Sequence, residues 1–135
     1  MYSIGEISKL TGITAYTLRY YEKIGVLPEP RRQDGKRCYD DQDLQYVRFI
    51  HGLKETGMSL GKIATFTEDG CLLISNNSEF EIHQILQKRI DMLDQHIHLL
   101  DQQMKQLEMV KEIAQRKSAL YSTMLKEGAL NNDGL

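Results

Sequence analysis

Leu86, Leu93, Leu100, Leu107 and Ala114 recur every seven residues, and Ile90, Ile97 and Met104 stand four residues after the first three. Alternating steps of four and three are the a and d positions of a coiled coil. No other feature of the chain restricts its fold as strongly. The helix carrying the seam is expected over 79–113, opened by the capping box Ser78-Glu79-Phe80-Glu81, and would run about 50 Å. Each Leu or Ile left in water forgoes about 1.5–3 kcal/mol of burial, so the stripe needs a covering partner. The simplest one is the same helix of a second chain; the alternative is a helix folded back on its own domain. The seam weakens at Lys111, and from Ile113 the apolar residues shift phase to Leu120 and Met124. This predicts a break, a short helix over 114–128, and a frayed tail over 129–135, whose end reads Asn-Asn-Asp-Gly.

Ahead of the seam, residues 1–70 read as one small domain. Ile4, Ile7 and Leu10 have helical spacing, and Thr11-Gly12 ends that helix. Thr14 suits the N-cap of a second helix that runs to about Ile24 and stops at Gly25. Two short helices across a tight glycine turn form a helix-turn-helix pattern. Pro28 and Pro30 exclude a helix over the next stretch, and Asp34-Gly35 is a hairpin turn with Arg31 and Arg32 on one arm and Lys36 and Arg37 on the other. Residues 28–39 therefore read as a β-wing. Asp40 or Asp41 caps a third helix with Leu44, Val47 and Ile50 on its apolar side, ending near Gly57; Ser59 caps a short fourth with Leu60, Ile63 and Phe66. The stretch TEDGCLLISNNS (67–78) reads as a linker, placed at 71–78 between the two domains.

Charge is distributed unevenly along this chain, whose formal net charge is only −2. Residues 1–39 hold seven basic and four acidic side chains, whereas residues 40–70 hold three basic and six acidic. A basic N-terminus on an acidic body points to a localised anionic partner. On a helical wheel, Leu18 and Tyr21 share a side facing the expected core, while Tyr16, Arg19, Tyr20 and Lys23 gather on another face. Such a face offers donors to phosphate oxygens and flat rings to sugars; its bland alternative is a solvated surface whose tyrosines shield the core. Two cysteines, Cys38 and Cys71, build neither a disulfide framework nor a four-ligand zinc site. With no apolar leader after Met1 and no run of membrane-spanning length, the expected compartment is a reducing cytoplasm.

The stretch IGEISKLTGITAYTLRYYEKIGVL, the wing residues Arg37-Cys38-Tyr39, and DLQYVRFIHGLKETGMSLGKI with its Gly57-Met58-Ser59-Leu60 together resemble the MerR family of bacterial transcription regulators over residues 2 to about 66. The resemblance implies a mainly α fold: a winged helix-turn-helix DNA-binding domain, a long antiparallel coiled-coil dimerisation helix and a short C-terminal helix. It implies a homodimer on a pseudo-palindromic promoter, bending and untwisting the spacer so that RNA polymerase engages both promoter elements. Tyr16, Thr17, Arg19 and Tyr20 match the family's helix contacts, and Arg37 and Tyr39 its wing contacts; Lys23, Arg31, Arg32 and Lys36 join them on electrostatic grounds. The dimerisation set is Leu86, Ile90, Leu93, Ile97, Leu100, Met104 and Leu107.

What such a protein would sense is less legible. A drug-binding type would need a large C-terminal ligand domain. Family metal sensors pair a cysteine near the start of the dimerisation helix with a cysteine-containing loop after it. Cys71 stands near the first position, but residues 114–135 contain neither cysteine nor histidine, and one thiolate does not complete a soft-metal site even with His83. Gly52 occupies the third-helix position where thiol-stress sensors carry a cysteine. Cys71 remains a candidate redox switch, with an incidental cysteine as the alternative; Cys38 reads as a small side chain packed in the wing. His51 lies in the third helix, His83 falls on the seam, and His96 and His98 are expected to be solvated. No metal, cofactor or enzyme activity is expected, since no nucleophile–base arrangement or phosphate loop stands out. Besides a signal-responsive regulator, an effector-independent repressor or DNA-bending architectural protein fits the same features, as does a coiled-coil adaptor that binds protein.

Overall fold

A computed structural model describes residues 1–72 and 78–128, with residues 68–72 described only as helical backbone. Its elements are α1 (Ile4–Thr11), α2 (Ala15–Lys23), β1 (Arg31–Gln33), β2 (Lys36–Cys38), α3 (Asp41–Glu55), α4 (Leu60–Leu72) and α5 (Glu79–Glu127). The chain divides into two compact units, Met1–Leu93 and Asp94–Leu135.

Local chemistry sets the helix ends in the first unit. Ser3 and Glu6 form a reciprocal capping box at the start of α1, and Gly12 closes that helix in the left-handed conformation at φ 76°. Thr14 caps α2 by accepting the Thr17 amide at 3.1 Å. Asp40, rather than Asp41, caps α3 in a second box with Asp43. The Ser59 hydroxyl accepts from the Lys62 amide and the Ser78 hydroxyl from that of Glu81, both at 3.2 Å. Between α2 and α3 the wing is a two-stranded antiparallel ribbon pairing Arg31 with Cys38, Arg32 with Arg37 and Gln33 with Lys36. Its turn places Asp34 at φ 53° and Gly35 at φ 77°, the two positive values that Asp-Gly hairpins favour.

The first unit's core unites α1, α2, α3 and α4 with the segments that connect them. Ile7, Ile13, Leu18, Tyr21, Val26, Leu27, Tyr39, Leu44, Val47, Ile50, Leu53, Met58 and Ile63 form one cluster, and Phe66 is also buried. The wing is stitched to the chain's start by backbone hydrogen bonds between Tyr2 and Tyr39, at 2.6 and 2.8 Å. Thr67 fastens α4 by donating to the Val26 carbonyl at 2.8 Å. The first turns of α5 are fixed to α4 through Arg89, which donates to the Phe66 carbonyl and lies 4.5 Å over the Phe66 ring.

Three expectations are corrected. Residues 67–72 continue α4 rather than opening the linker, because turn-favouring composition with a single glycine and no proline does not stop a helix already under way. No break occurs near Ile113: α5 runs unbroken to Glu127, so residues 114–127 belong to it and form no separate short helix. A change in apolar phase moves the stripe around a helix, whereas good helix formers keep its backbone going. His96 is buried at 5% rather than solvated. A wheel shows which residues share a face, not what covers that face. The centre of the expected linker and the tail over 129–135 lie outside the described residues.

Candidate nucleic-acid interface

The second helix divides its side chains as its sequence suggests. Leu18 and Tyr21 are each 2% exposed, whereas Tyr16 is 79% and Tyr20 45% exposed. Arg19 and Lys23 are also exposed, and neither has an ion-pair partner among the described residues. Thr17 is half-buried at the helix start, where its hydroxyl accepts from that of Thr14 at 2.9 Å. The outward face of α2 therefore presents two phenols and two uncommitted cations.

The wing cations differ in how far they are already engaged. Arg31 donates to Asp40 at 2.6 Å and to Asp43 at 3.1 Å, and these carboxylates hold its guanidinium more firmly protonated than usual. Arg37 donates from Nε to Glu22 at 2.8 Å, with both side chains mostly covered at 22% and 17% exposure. That pair ties the wing to α2, and the Glu22 hydrogen bond raises the Arg37 pKa. Arg32 donates to the Gly35 carbonyl across the hairpin turn at 3.1 Å. Lys36, exposed, has no ion-pair partner among the described residues. Tyr39 departs most from its expected place: it is 8% exposed and belongs to the core. Burial, followed by the Glu22 carboxylate, raises its pKa. It therefore positions the wing instead of offering an open surface. Cys38 is half-covered, its Sγ 3.6 Å from the Arg31 carbonyl, which agrees with a packed wing side chain. The Cys71 side chain lies outside the described residues.

Two supporting residues escaped the sequence reading. Glu22 sits inside the TLRYYE cluster, but only the fold places it against Arg37. His51 has Nδ1 at 3.1 Å from the Tyr21 hydroxyl and Nε2 at 3.4 Å from Glu55. It thereby fixes the buried edge of α2 against α3. A histidine 30 residues from its partner leaves no local signal.

The fold and this surface can be compared with known proteins. Residues 2–69 match the family model described as MerR HTH family regulatory protein. The chain belongs to that family. This MerR-family protein is 42% identical over 135 residues to YyaN of Bacillus subtilis, an HTH-type transcriptional regulator, covering 97% of this chain and 98% of the relative. It is 31% identical over 121 residues to an HTH-type transcriptional regulator of Haemophilus influenzae, covering 89% and 83%. Among solved structures it is similar to HiNmlR, a MerR-family regulator lacking the sensor domain and bound to promoter DNA, with TM-score 0.73, 30% identity and 94% coverage of both chains. A MerR-family regulator from Bacillus thuringiensis matches with TM-score 0.68 and 28% identity over 89% of this chain and 98% of that one. The MerR-family protein is accordingly a transcriptional regulator of the DNA-binding helix-turn-helix class, not an enzyme. Among the described residues no helix is long and apolar enough to cross a membrane, and no cluster of three or more His, Cys, Asp or Glu is arranged to hold a metal ion.

Proposed function

We propose that the protein binds a pseudo-palindromic promoter as a homodimer, with α2 in the major groove and the wing against the flanking backbone. The observation carrying this reading is the outward face of α2: Tyr16, Arg19, Tyr20 and Lys23 stand open to solvent on a helix whose opposite side is locked into the core. Arg32 and Lys36 add charge on the wing, and Arg31 and Arg37 brace it through their carboxylate partners. The similarity to HiNmlR on promoter DNA supports the same role. Two copies gripping one spacer through their wings would bend and untwist it, giving RNA polymerase access to both promoter elements in the cytoplasm. Specificity would then come from DNA deformability added to a few direct contacts.

The dimer is supported by α5. In the single chain, Leu86, Ile90, Ile97, Met104 and Leu107 are between 45% and 69% exposed, and Leu93 and Leu100 complete their line. An apolar stripe of this regularity calls for a second helix.

Fluorescence anisotropy with a labelled promoter fragment across a salt series tests the DNA reading. Affinity should fall steeply as salt rises, and spacer mutants that stiffen the DNA should weaken binding at positions the protein does not touch. An affinity indifferent to salt would sink the proposal. Transcription in vitro with a panel of small signals separates a responsive regulator from an effector-independent repressor, whose output stays constant.

A further inference from the structure

Behind α2, on the side away from its exposed tyrosines, the first unit has a half-open cleft of about 210 Å³ between α2, the connector 27–30, the start of β1, and α3. A recess of this size beside a close-packed core has a local cause. Pro28 and Pro30 supply it. They fix their own φ and keep the preceding residues extended, so the connector spans the gap and does not fill it. Tyr46 is turned by its hydroxyl toward Thr67 Oγ1, 3.3 Å away, leaving it to line the cavity beside Tyr39.

The lining has two characters. Leu18, Leu27 and Val47 give an apolar floor. The charged groups are Glu22, Glu29 and Asp43 against Arg31 alone, three carboxylates to one guanidinium. Asp43 is occupied by Arg31 and the Asp40 amide, and Glu22 by Arg37. Glu29 is exposed and has no partner among the described residues. Tyrosine rings, an apolar floor and surplus negative charge form a receptor for a cation with an apolar body.

We propose that this cavity is a regulatory site for a small organic monocation, an aromatic or branched aliphatic amine. Benzene fits a cavity of about 150 Å³, so a single ring with a short aminoalkyl arm is the right size. The ammonium lies among the carboxylates, with Glu29 as its uncommitted partner, and the ring lies against Pro28 and Tyr46 above the buried Leu18 and Val47. Regulation follows from position, and this part rests on the DNA-binding reading above. Glu22 belongs to α2 and its partner Arg37 to the wing, so an occupant sharing the Glu22 carboxylate braces both DNA-facing elements and adds positive charge beside them. Amine and DNA therefore strengthen each other's binding by the same factor.

Benzylamine is the probe, with benzyl alcohol and benzoate as neutral and anionic counterparts, titrated into the nitrogen-15-labelled full chain. Saturable shifts should appear at the amides of Leu18, Leu27, Glu29 and Val47 with benzylamine and not with the other two. Glu29→Gln, at an exposed position, should keep the melting temperature while weakening benzylamine at least about threefold. Equal shifts with benzyl alcohol, shifts confined to other residues, or an unchanged affinity in Glu29→Gln would overturn the site. On promoter DNA, saturating benzylamine should raise affinity on the order of fivefold. Bound amine with unchanged DNA affinity would overturn the regulatory role. A protein that takes benzylamine but no DNA would overturn the coupling together with the DNA reading, while the amine titration would still uphold the cavity as a binding site.

Discussion

Tyr20 and Tyr21 are neighbours in sequence but do different work in the fold. Tyr21 is 2% exposed, packs in the core and reaches His51; Tyr20 is 45% exposed and borders only the outward face of α2. Tyr21→Ala should therefore lower unfolding free energy by about 3–5 kcal/mol, the usual cost of emptying a large aromatic site. Tyr20→Ala should stay within about 0.5 kcal/mol of wild type while weakening promoter binding roughly tenfold or more. Urea denaturation and anisotropy on the same two variants check the division, and equal losses of stability would refute it. This split was legible beforehand, because a helical wheel needs only the sequence once one apolar face is known. The burial of Tyr39 was not. It follows from the Tyr2–Tyr39 backbone pairing, which joins residues 37 positions apart and leaves no local trace.

Among the elements, the wing and the N-terminus of α3 depend on a few residues in special roles. Gly35 sits at φ 77°, where an added Cβ meets no atom within 4 Å, so the cost of Gly35→Ala is one of backbone conformation alone, about 1 kcal/mol. The helical core should melt nearly unchanged, and DNA affinity should fall because the hairpin no longer holds its shape; anisotropy beside a thermal melt measures both. Asp40 caps α3 and also holds Arg31. The Asp43 amide first, and Arg31 second, keep its pKa below the ordinary 3.8. A depressed carboxylate contributes stability that is complete above its unfolded value and lost as pH falls through the folded one. Acid titration followed by circular dichroism should thus show wild type losing part of its margin below about pH 3.8. Asp40→Asn should lack that component, since its amide does not titrate. Elements of this kind were readable where caps and turn dipeptides mark them, as at Thr14, Asp34-Gly35 and Ser59. They were misread where composition suggested a loop but nothing stopped a helix, as at 67–72, and where a phase shift was taken for a break at Ile113.

At the scale of the whole molecule, the seam on α5 and the cations of α2 and the wing make one joint claim, that the binding unit carries two copies of each phosphate contact. Leu100→Asp places a charge in the middle of the stripe and should convert the proposed dimer to monomer in sedimentation velocity at micromolar concentration, because a coiled-coil seam does not bury an unpaired carboxylate. Counting phosphates gives an independent measure. Each neutralised phosphate contributes about 0.9 to the slope of log K against log salt. Arg19, exposed and without an ion-pair partner among the described residues, should give up its full contribution when replaced. In a symmetric dimer the replacement is made twice on one DNA fragment, so Arg19→Ala should flatten the slope by about 1.8. Lys36→Ala should do the same, whereas Arg31→Ala should flatten it by less, because Arg31 already spends its charge on Asp40 and Asp43. A change of about 0.9 for Arg19→Ala would mean one copy on the DNA and would reject the dimer as the binding unit, whatever its state in free solution.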